Sequence, residues 1–546
     1  MSPRSQARGP TRRACLAAAS AVFSGGWLGG CNDKPQGFDA AALQGLAGCW
    51  VGAAVQRGHR LRNWRSGNLP PPAVQRQARI LIVGAGVAGL AAARALARAG
   101  ISDVQLLELE DVAGGNARGH HLAGMACPLG AHYLPVPDTA APAAEPVLEL
   151  LAELGLARFE LGRWVFEERH LCHSPQERLF FEGAWHEGLL PPAETGSSTQ
   201  AQYRRFATLV AQAQREIGFA MPSLNLRWTP AHAALESITF AAWLQRQGLD
   251  DARLRWYLDY ACRDDYGAGL ETVSAWAGLH YFASRHGFHA PGDEDAAREP
   301  VLTWPEGNAW LTSRLAAPLA DRLHTGRSVL QVSENRHAVE LLVWDEVADQ
   351  LEAWRAEQVI LAVPLFIAEK LLVNPSAALR QAAAEASYAP WLVANLQIDA
   401  PLLQRVGFAP AWDNVAYGSA SLGYVDAMHQ SLRPHAGPTV LTAYWALPQR
   451  QRAALLIDDW RPWARSVIGD LSALHPDLPH KLGRIDLMRY GHAMRIPRPG
   501  TRSSAALQAL GHLPGRVQLA HADLAGYSVF EEAYLAGLRC GTQMAV

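Results

Sequence analysis

An α/β fold is what this sequence predicts, on three observations. A short apolar run rich in β-branched residues, Ile80 to Val83, leads into Gly84-Ala85-Gly86-Val87-Ala88-Gly89 and then into a stretch of high helix propensity, Ala91 to Ala99, that stops at Gly100. A second strand-like run, Val104 to Leu107, follows and ends in Glu108. With 546 residues, 49% hydrophobic and 18% charged, the chain can bury a large core, and its length suggests roughly two to four structural units.

The formal net charge of −2 argues against a nucleic-acid binder working through electrostatics. In chain order, the first segment is MSPRSQARGPTRR, basic with no acidic residue, followed by the apolar run ACLAAASAVFSGGWLGG. That run is too short and too rich in Gly and Ala to read as a membrane span. Thr11-Arg12-Arg13-Ala14-Cys15-Leu16 resembles a twin-arginine export signal, and Leu28-Gly29-Gly30-Cys31 resembles a lipobox. The expectation is an export signal over 1–31, a periplasmic protein, and a candidate lipid anchor at Cys31. The other five cysteines are scattered and form no CxxC pair, so neither a zinc site nor a disulfide framework is expected. No His, Cys and carboxylate group has metal-ligand spacing either: His120 and His121 are adjacent and would diverge on a strand. Residues 32–78 read as a tether: Pro70-Pro71-Pro72 is stiff and extended, and Arg57, His59, Arg60, Arg62 and Arg65 make the stretch basic, solvated or membrane-facing.

The glycines between strand and helix turn a weak G-x-G-x-x-G into a Rossmann-like dinucleotide site. Gly84 permits the tight turn, Gly86 lets a pyrophosphate approach the backbone, and Gly89 lets helix and strand pack closely. The helix N-terminus offers unpaired N–H groups to the phosphates. Glu108, 24 residues after Gly84, would accept hydrogen bonds from ribose hydroxyls and repel a 2′-phosphate. NADP is disfavoured; FAD and NAD both stay open on these residues alone.

The continuation LLELEDVAGGNARG resembles the flavin-containing amine oxidase superfamily, whose members pass from the ribose Glu to a second glycine pair. Gly114-Gly115 has that spacing, but Asn116 stands where Arg is usual, and Arg118 is the candidate to replace its charge. Pro128-Leu129-Gly130-Ala131-His132-Tyr133 resembles the family's loop near the flavin ring, and Glu357 to Leu365 its strand and "VP" turn. Thr303 to Leu311 resembles a turn in which Gly307 lets the backbone approach the cofactor. Val329 resembles the position whose backbone meets adenine. RVQLAHADLAGYSVFEEAYLAGLRCG resembles the closing flavin motif, with Asp523 against the ribityl chain and Glu532-Ala533 in the helix beginning under the flavin. The resemblance implies FAD. Tyr490 to Arg495 sits where some relatives attach flavin through Cys; none is present, so non-covalent binding is expected. It further implies a FAD domain from 79–150, 301–375 and 501–546, with a mixed α+β substrate domain from 151–300 and 376–500.

The chemistry so implied is oxidation of an amine, with hydride transfer from the carbon bearing nitrogen to flavin and hydrolysis of the imine. Reduced flavin needs O₂ or a separate acceptor, an electron-carrier protein or a quinone. Tyr527 resembles an aromatic ring flanking the substrate. Many relatives carry a Lys that holds a water at the flavin, on the strand after the VP turn. Here APWLVANLQID offers Ala394 or Asn395, which favours a dehydrogenase over a fast oxidase. In Tyr257 to Gly267, Asp264 or Asp265 is read as the carboxylate binding a cationic amine, with Asp265 preferred; Trp276, His280, Tyr281 and His286 follow at helical spacing. His492 is a candidate general base or flavin neighbour. Two rival readings remain: a desaturase-like or protoporphyrinogen-oxidase-like enzyme with an apolar substrate, and a non-catalytic scaffold.

Overall fold

The structure, a computed structural model, describes residues 45–64, 69–285, 287–291, 300–431, 436–511 and 513–545. The export-like segment, Cys31, Arg65 and His286 lie outside the described residues.

Two sheets organise the chain. In the first, Leu323–His324, Val104–Leu107, Val74–Val83 and Gln350–Leu361 run parallel, and Val517–Leu519 joins Gln350–Leu361 in the same sense. Val339–Asp345 and Arg327–Glu334 complete it as an antiparallel extension. The central strand is buried on both faces, Ile80, Leu81 and Ile82 being fully inaccessible, which explains its continuous apolar run rather than an alternating one. The helix Val87–Arg98 packs beneath the sheet, and the C-terminal helix Phe530–Met544 lies against it. That approach needs glycine: a Cβ on Gly537 would sit 2.0 Å from the Ala88 carbonyl oxygen, and one on Gly541 2.5 Å from that of Ala92.

The second sheet has the order Ala47–Trp50, Leu482–Arg495, Tyr388–Ile398, Thr439–Ala446, Tyr424–Asp426, Asp413–Ala416, Glu177–Phe181, Ala184–Glu187. A bundle including Ser198–Glu216, Ala252–Tyr266 and Ala275–Ala283 packs with it around a core rich in aromatics, among them Phe206, Phe240, Trp276 and Phe282. Among the described residues no helix is long and apolar enough to cross a membrane.

The reading of 32–78 as a tether is corrected from residue 45 onward. Ala47–Trp50 pairs in parallel with Arg484–Leu487, and Val74 to Ala78 already belong to the central strand, opposite Glu352 to Ala356. Between them the helix Val55–Trp64 packs on Arg327–Glu334. Two of its arginines are held by carboxylates: Arg57 pairs with Asp111 at 2.8 Å, and Arg60 grips both oxygens of Glu346 at 3.1 and 2.8 Å. A basic stretch looks like a solvated tether only until its carboxylate partners, far away in sequence, are in place.

Candidate active site

One cavity of about 490 Å³ runs from the glycine turns of the first sheet to the face of the second. At one end it is walled by Gly84, Gly86, Val87, Ala88, Glu108, Gly114, Gly115 and Val329. Gly84 has φ +99, and a Cβ there would strike the Ala362 carbonyl oxygen at 2.5 Å, so only glycine makes this turn. Gly86 differs: a Cβ there meets nothing nearer than Gly115 Cα at 3.7 Å, so the missing side chain is open cavity. Gly89 lies off the wall, its Cα so close to Gly84 that a Cβ would be 1.9 Å from the Gly84 oxygen. Glu108 is buried and accepts the amides of Ala85 (2.7 Å) and Glu110 (3.0 Å), with its pKa raised by burial.

Arg118 does not face this space. It is buried, donates to the Gly115 and Gly52 carbonyls at 2.9 and 2.5 Å, and so fixes the second glycine turn from behind. Asn116 donates to the Ala493 carbonyl at 2.6 Å. Gly307 likewise serves the protein: a Cβ on it would lie 2.8 Å from the Ala131 oxygen, under the loop that carries Gly130 and Ala131 to the wall.

Further along stand Asp523 and Ala533. Asp523 is fully buried; one oxygen accepts the Leu365 amide at 2.9 Å and the Tyr388 hydroxyl. The other, Oδ1, makes no hydrogen bond. His521 Nδ1 lies 3.3 Å from it. Burial raises the Asp523 pKa, yet His521, Arg495 and the Tyr388 hydroxyl outweigh it and hold it at about 2. An orphaned buried acceptor on a cavity wall, together with the open volume at Gly86, fits a hydroxyl-bearing dinucleotide.

The remaining wall is aromatic and acidic. His132 stacks on Tyr444 with centroids 4.4 Å apart, and burial drives its pKa down to about 3, leaving a neutral ring. Tyr444 and Tyr490 donate to the Gly130 and Leu129 carbonyls at 3.1 and 2.9 Å, which presents their rings edgewise to the loop. Asp264 and Asp265, at the end of Ala252–Tyr266, both line the cavity, but they are not equivalent. Asp265 is engaged by Arg285 at 2.9 and 3.2 Å. Asp264 accepts the Tyr133 hydroxyl at 3.1 Å, and burial, then the Asp265 charge, raise its pKa to about 6. Glu531 joins them, its pKa raised by burial to about 7.

The family model of flavin containing amine oxidoreductases matches residues 87–545. The chain belongs to this family. An L-amino acid dehydrogenase of Synechocystis sp. is 25% identical over 325 residues, 57% of this chain and 62% of that protein. Putrescine oxidase of Kocuria rosea is 31% identical over 175 residues, 32% of each. The chain therefore spans less than two thirds of the length of these curated relatives. Cyclohexylamine oxidase from Brevibacterium oxydans IH-35A has the same fold, with a TM-score of 0.63 at 16% identity over 86% of this chain and 98% of that one.

As a flavin amine oxidoreductase the protein uses FAD, and Gly86, Gly114, Gly115, Glu108, Gly130, Ala131, Val329, Asp523 and Ala533 stand where they can hold it. Three readings made for the chemistry need correction. Tyr527 is off the cavity: its hydroxyl donates to Glu532 at 2.6 Å and receives His280 Nε2 at 2.9 Å, because Gly526, at φ +87, turns the chain so that Val529 and Phe530 face the wall instead. On the strand Tyr388–Ile398, the wall residues are Tyr388, Trp391 and Val393; Ala394 alternates away and Asn395 is buried against the Pro128 carbonyl and Thr442. His492 does line the cavity, beside Phe366 and Tyr388, but desolvation and the cations Arg452, Lys370 and Arg62 push its pKa to about 4 although its ring is reachable from solvent. It is a weak base at neutral pH. Sequence reasoning missed Glu531, Arg285 and the trio Arg57, Gly58 and Leu61, all on the wall. Glu531 had a signal, a carboxylate in the first turn of the closing helix.

Proposed function

We propose that this oxidoreductase dehydrogenates a cationic amine. The observation that carries the reading is the imbalance on the wall beyond the glycine turns, where, among the described residues, Asp264, Asp265 and Glu531 meet one guanidinium, Arg285, already paired with Asp265. Two carboxyls with pKa values near 6 and 7 are thus left to a positively charged ligand. FAD, when bound, supplies the acceptor for a hydride equivalent from the carbon bearing nitrogen. The chain does the rest: Asp264, oriented by Tyr133, and Glu531 hold the ammonium. Either can take the proton that it must lose before it is oxidised. His132 and Tyr444 flank the approach with neutral aromatic faces. Water then hydrolyses the imine.

Among the described residues no lysine lines the cavity, which supports a separate acceptor, an electron-carrier protein or a quinone, over fast reaction with O₂. The twin-arginine-like Arg12-Arg13 supports export in the folded, flavin-loaded state, with Cys31 as a lipid anchor. An anaerobic screen tests the function: a monoamine, a polyamine or an amino acid should bleach the flavin absorbance. Bleaching by a polyene or porphyrinogen alone would favour the apolar-substrate reading.

A further inference from the structure

The segment ahead of the central strand Val74–Val83 carries three wall residues of its own. Arg57 and Leu61, four apart on one face of the helix Val55–Trp64, and Gly58 between them line the same cavity as Glu108 and Val329. The segment is fastened to both halves of the molecule. Ala47–Trp50 extends the second sheet, Gly52 accepts from Arg118, Ala54 N–H donates to the Glu110 carboxylate at 3.0 Å, and Arg60 holds Glu346.

Charge gives it a task. Among the described residues the cations on the cavity wall are Arg57, Arg285 and Arg327. Arg285 is tied to the buried Asp265, and Arg327 to the buried Asp345 at 2.7 Å and Glu352 at 3.5 Å. Arg57 is paired with Asp111, a carboxylate 76% exposed to water, and so is the least neutralised of the three. Asn116 brings no charge after the second glycine pair. A glycine in mid-helix is also unfavourable by itself, and a Cβ at Gly58 would meet nothing within 4 Å. Like Gly86, it leaves room on the wall. We propose that residues 47–64 form a strap that retains the cofactor, with Arg57 binding the phosphate-bearing half of FAD and Gly58 and Leu61 closing over it. The inference rests on FAD being the cofactor.

The test uses the purified holoenzyme and follows FAD release by flavin fluorescence after dilution, with the melting midpoint of the same protein after flavin removal measured in parallel, because a midpoint taken in excess FAD itself falls when affinity falls. Arg57→Met is expected to release FAD at least tenfold faster and to lose the salt sensitivity of release, with the flavin-free midpoint unchanged and Arg57→Lys partly restored. Gly58→Leu, which improves helix propensity, should still speed release. Release within twofold of wild type in both variants, or a flavin-free midpoint that falls in step with retention, would overturn the strap. Wild-type protein that takes up no FAD would overturn the cofactor assignment and the strap with it.

Discussion

Tyr133 donates its hydroxyl to Asp264 Oδ2 at 3.1 Å, while the neighbouring Asp265 is taken by Arg285 at 2.9 Å. Adjacent residues near a helix end thus have different tasks: one closes an internal ion pair, the other is presented to the cavity by a neutral donor. Asp264→Asn is therefore expected to lower kcat/KM for a cationic amine by roughly 10- to 100-fold, the worth of one hydrogen bond to a charged group. FAD content should not change. Stopped-flow reduction of the flavin under anaerobic conditions reads it; an unchanged reduction rate and KM would remove Asp264 from substrate binding.

The same wall sets a pH dependence. Asp264 and Glu531 are raised by burial to about 6 and about 7, so both lose their negative charge as pH falls through that range. The expected kcat/KM falls on the acid side with an apparent pKa between 6 and 7 that belongs to the coupled group. Glu531→Gln should leave a single limb nearer 6. A profile flat from pH 8 to 5 in both proteins would mean that neither carboxylate holds the amine.

How much of this was legible in the sequence follows distance along the chain. The close packing of Gly89 on Gly84 is decided within one strand–turn–helix unit, and a motif reports it; that Gly84 abuts the Ala362 carbonyl and Gly86 faces Gly115 is settled by remote chain that the motif only implies. Asp523 was legible through resemblance, but its orphaned oxygen was not. The strap was missed because its partners are remote: Ala47 pairs with Arg484, and Arg60 reaches Glu346. Tyr527 was misplaced because one left-handed glycine, Gly526, decides which side of the chain faces the cavity, and residue type alone does not show that.

Gly86 and Gly89 should separate cofactor binding from folding. In Gly86→Ala the new methyl meets only ordinary contacts in the protein but occupies cavity, so the expected result is a native melting curve with FAD affinity lowered at least tenfold. In Gly89→Ala the methyl would lie 1.9 Å from the Gly84 oxygen, and the helix must shift. About 1–3 kcal/mol of stability should be lost at any FAD concentration. Denaturant melts with and without excess FAD distinguish the two.

Tyr527→Phe is expected to act on stability alone. Its hydroxyl bridges Glu532 and His280, both buried, and its removal leaves their polar atoms under-satisfied at a cost of about 1–3 kcal/mol. Because Val529 and not Tyr527 faces the cavity, KM and the rate of flavin reduction should stay within twofold of wild type. A selective loss of amine binding at unchanged stability would return Tyr527 to the substrate wall.

Asp523 couples the flavin site to acid stability. A folded-state pKa near 2 against an ordinary value of 3.8 means that the native state favours the anion by roughly 2 kcal/mol. That contribution is present in full above about pH 4 and is lost as pH falls through about 2. Asp523→Asn keeps an oxygen for the Leu365 amide and the Tyr388 hydroxyl but removes the charge facing Arg495 and His521. At pH 7 the variant should be about 2 kcal/mol less stable than wild type. The difference should shrink towards zero as the pH approaches 2, because protonation makes the wild-type group neutral as well. FAD release should also quicken at pH 7, since Oδ1 is the acceptor left for the cofactor's hydroxyls. Equal denaturation midpoints at pH 7 would show that the buried charge contributes nothing, and that its neighbours cancel its desolvation and no more.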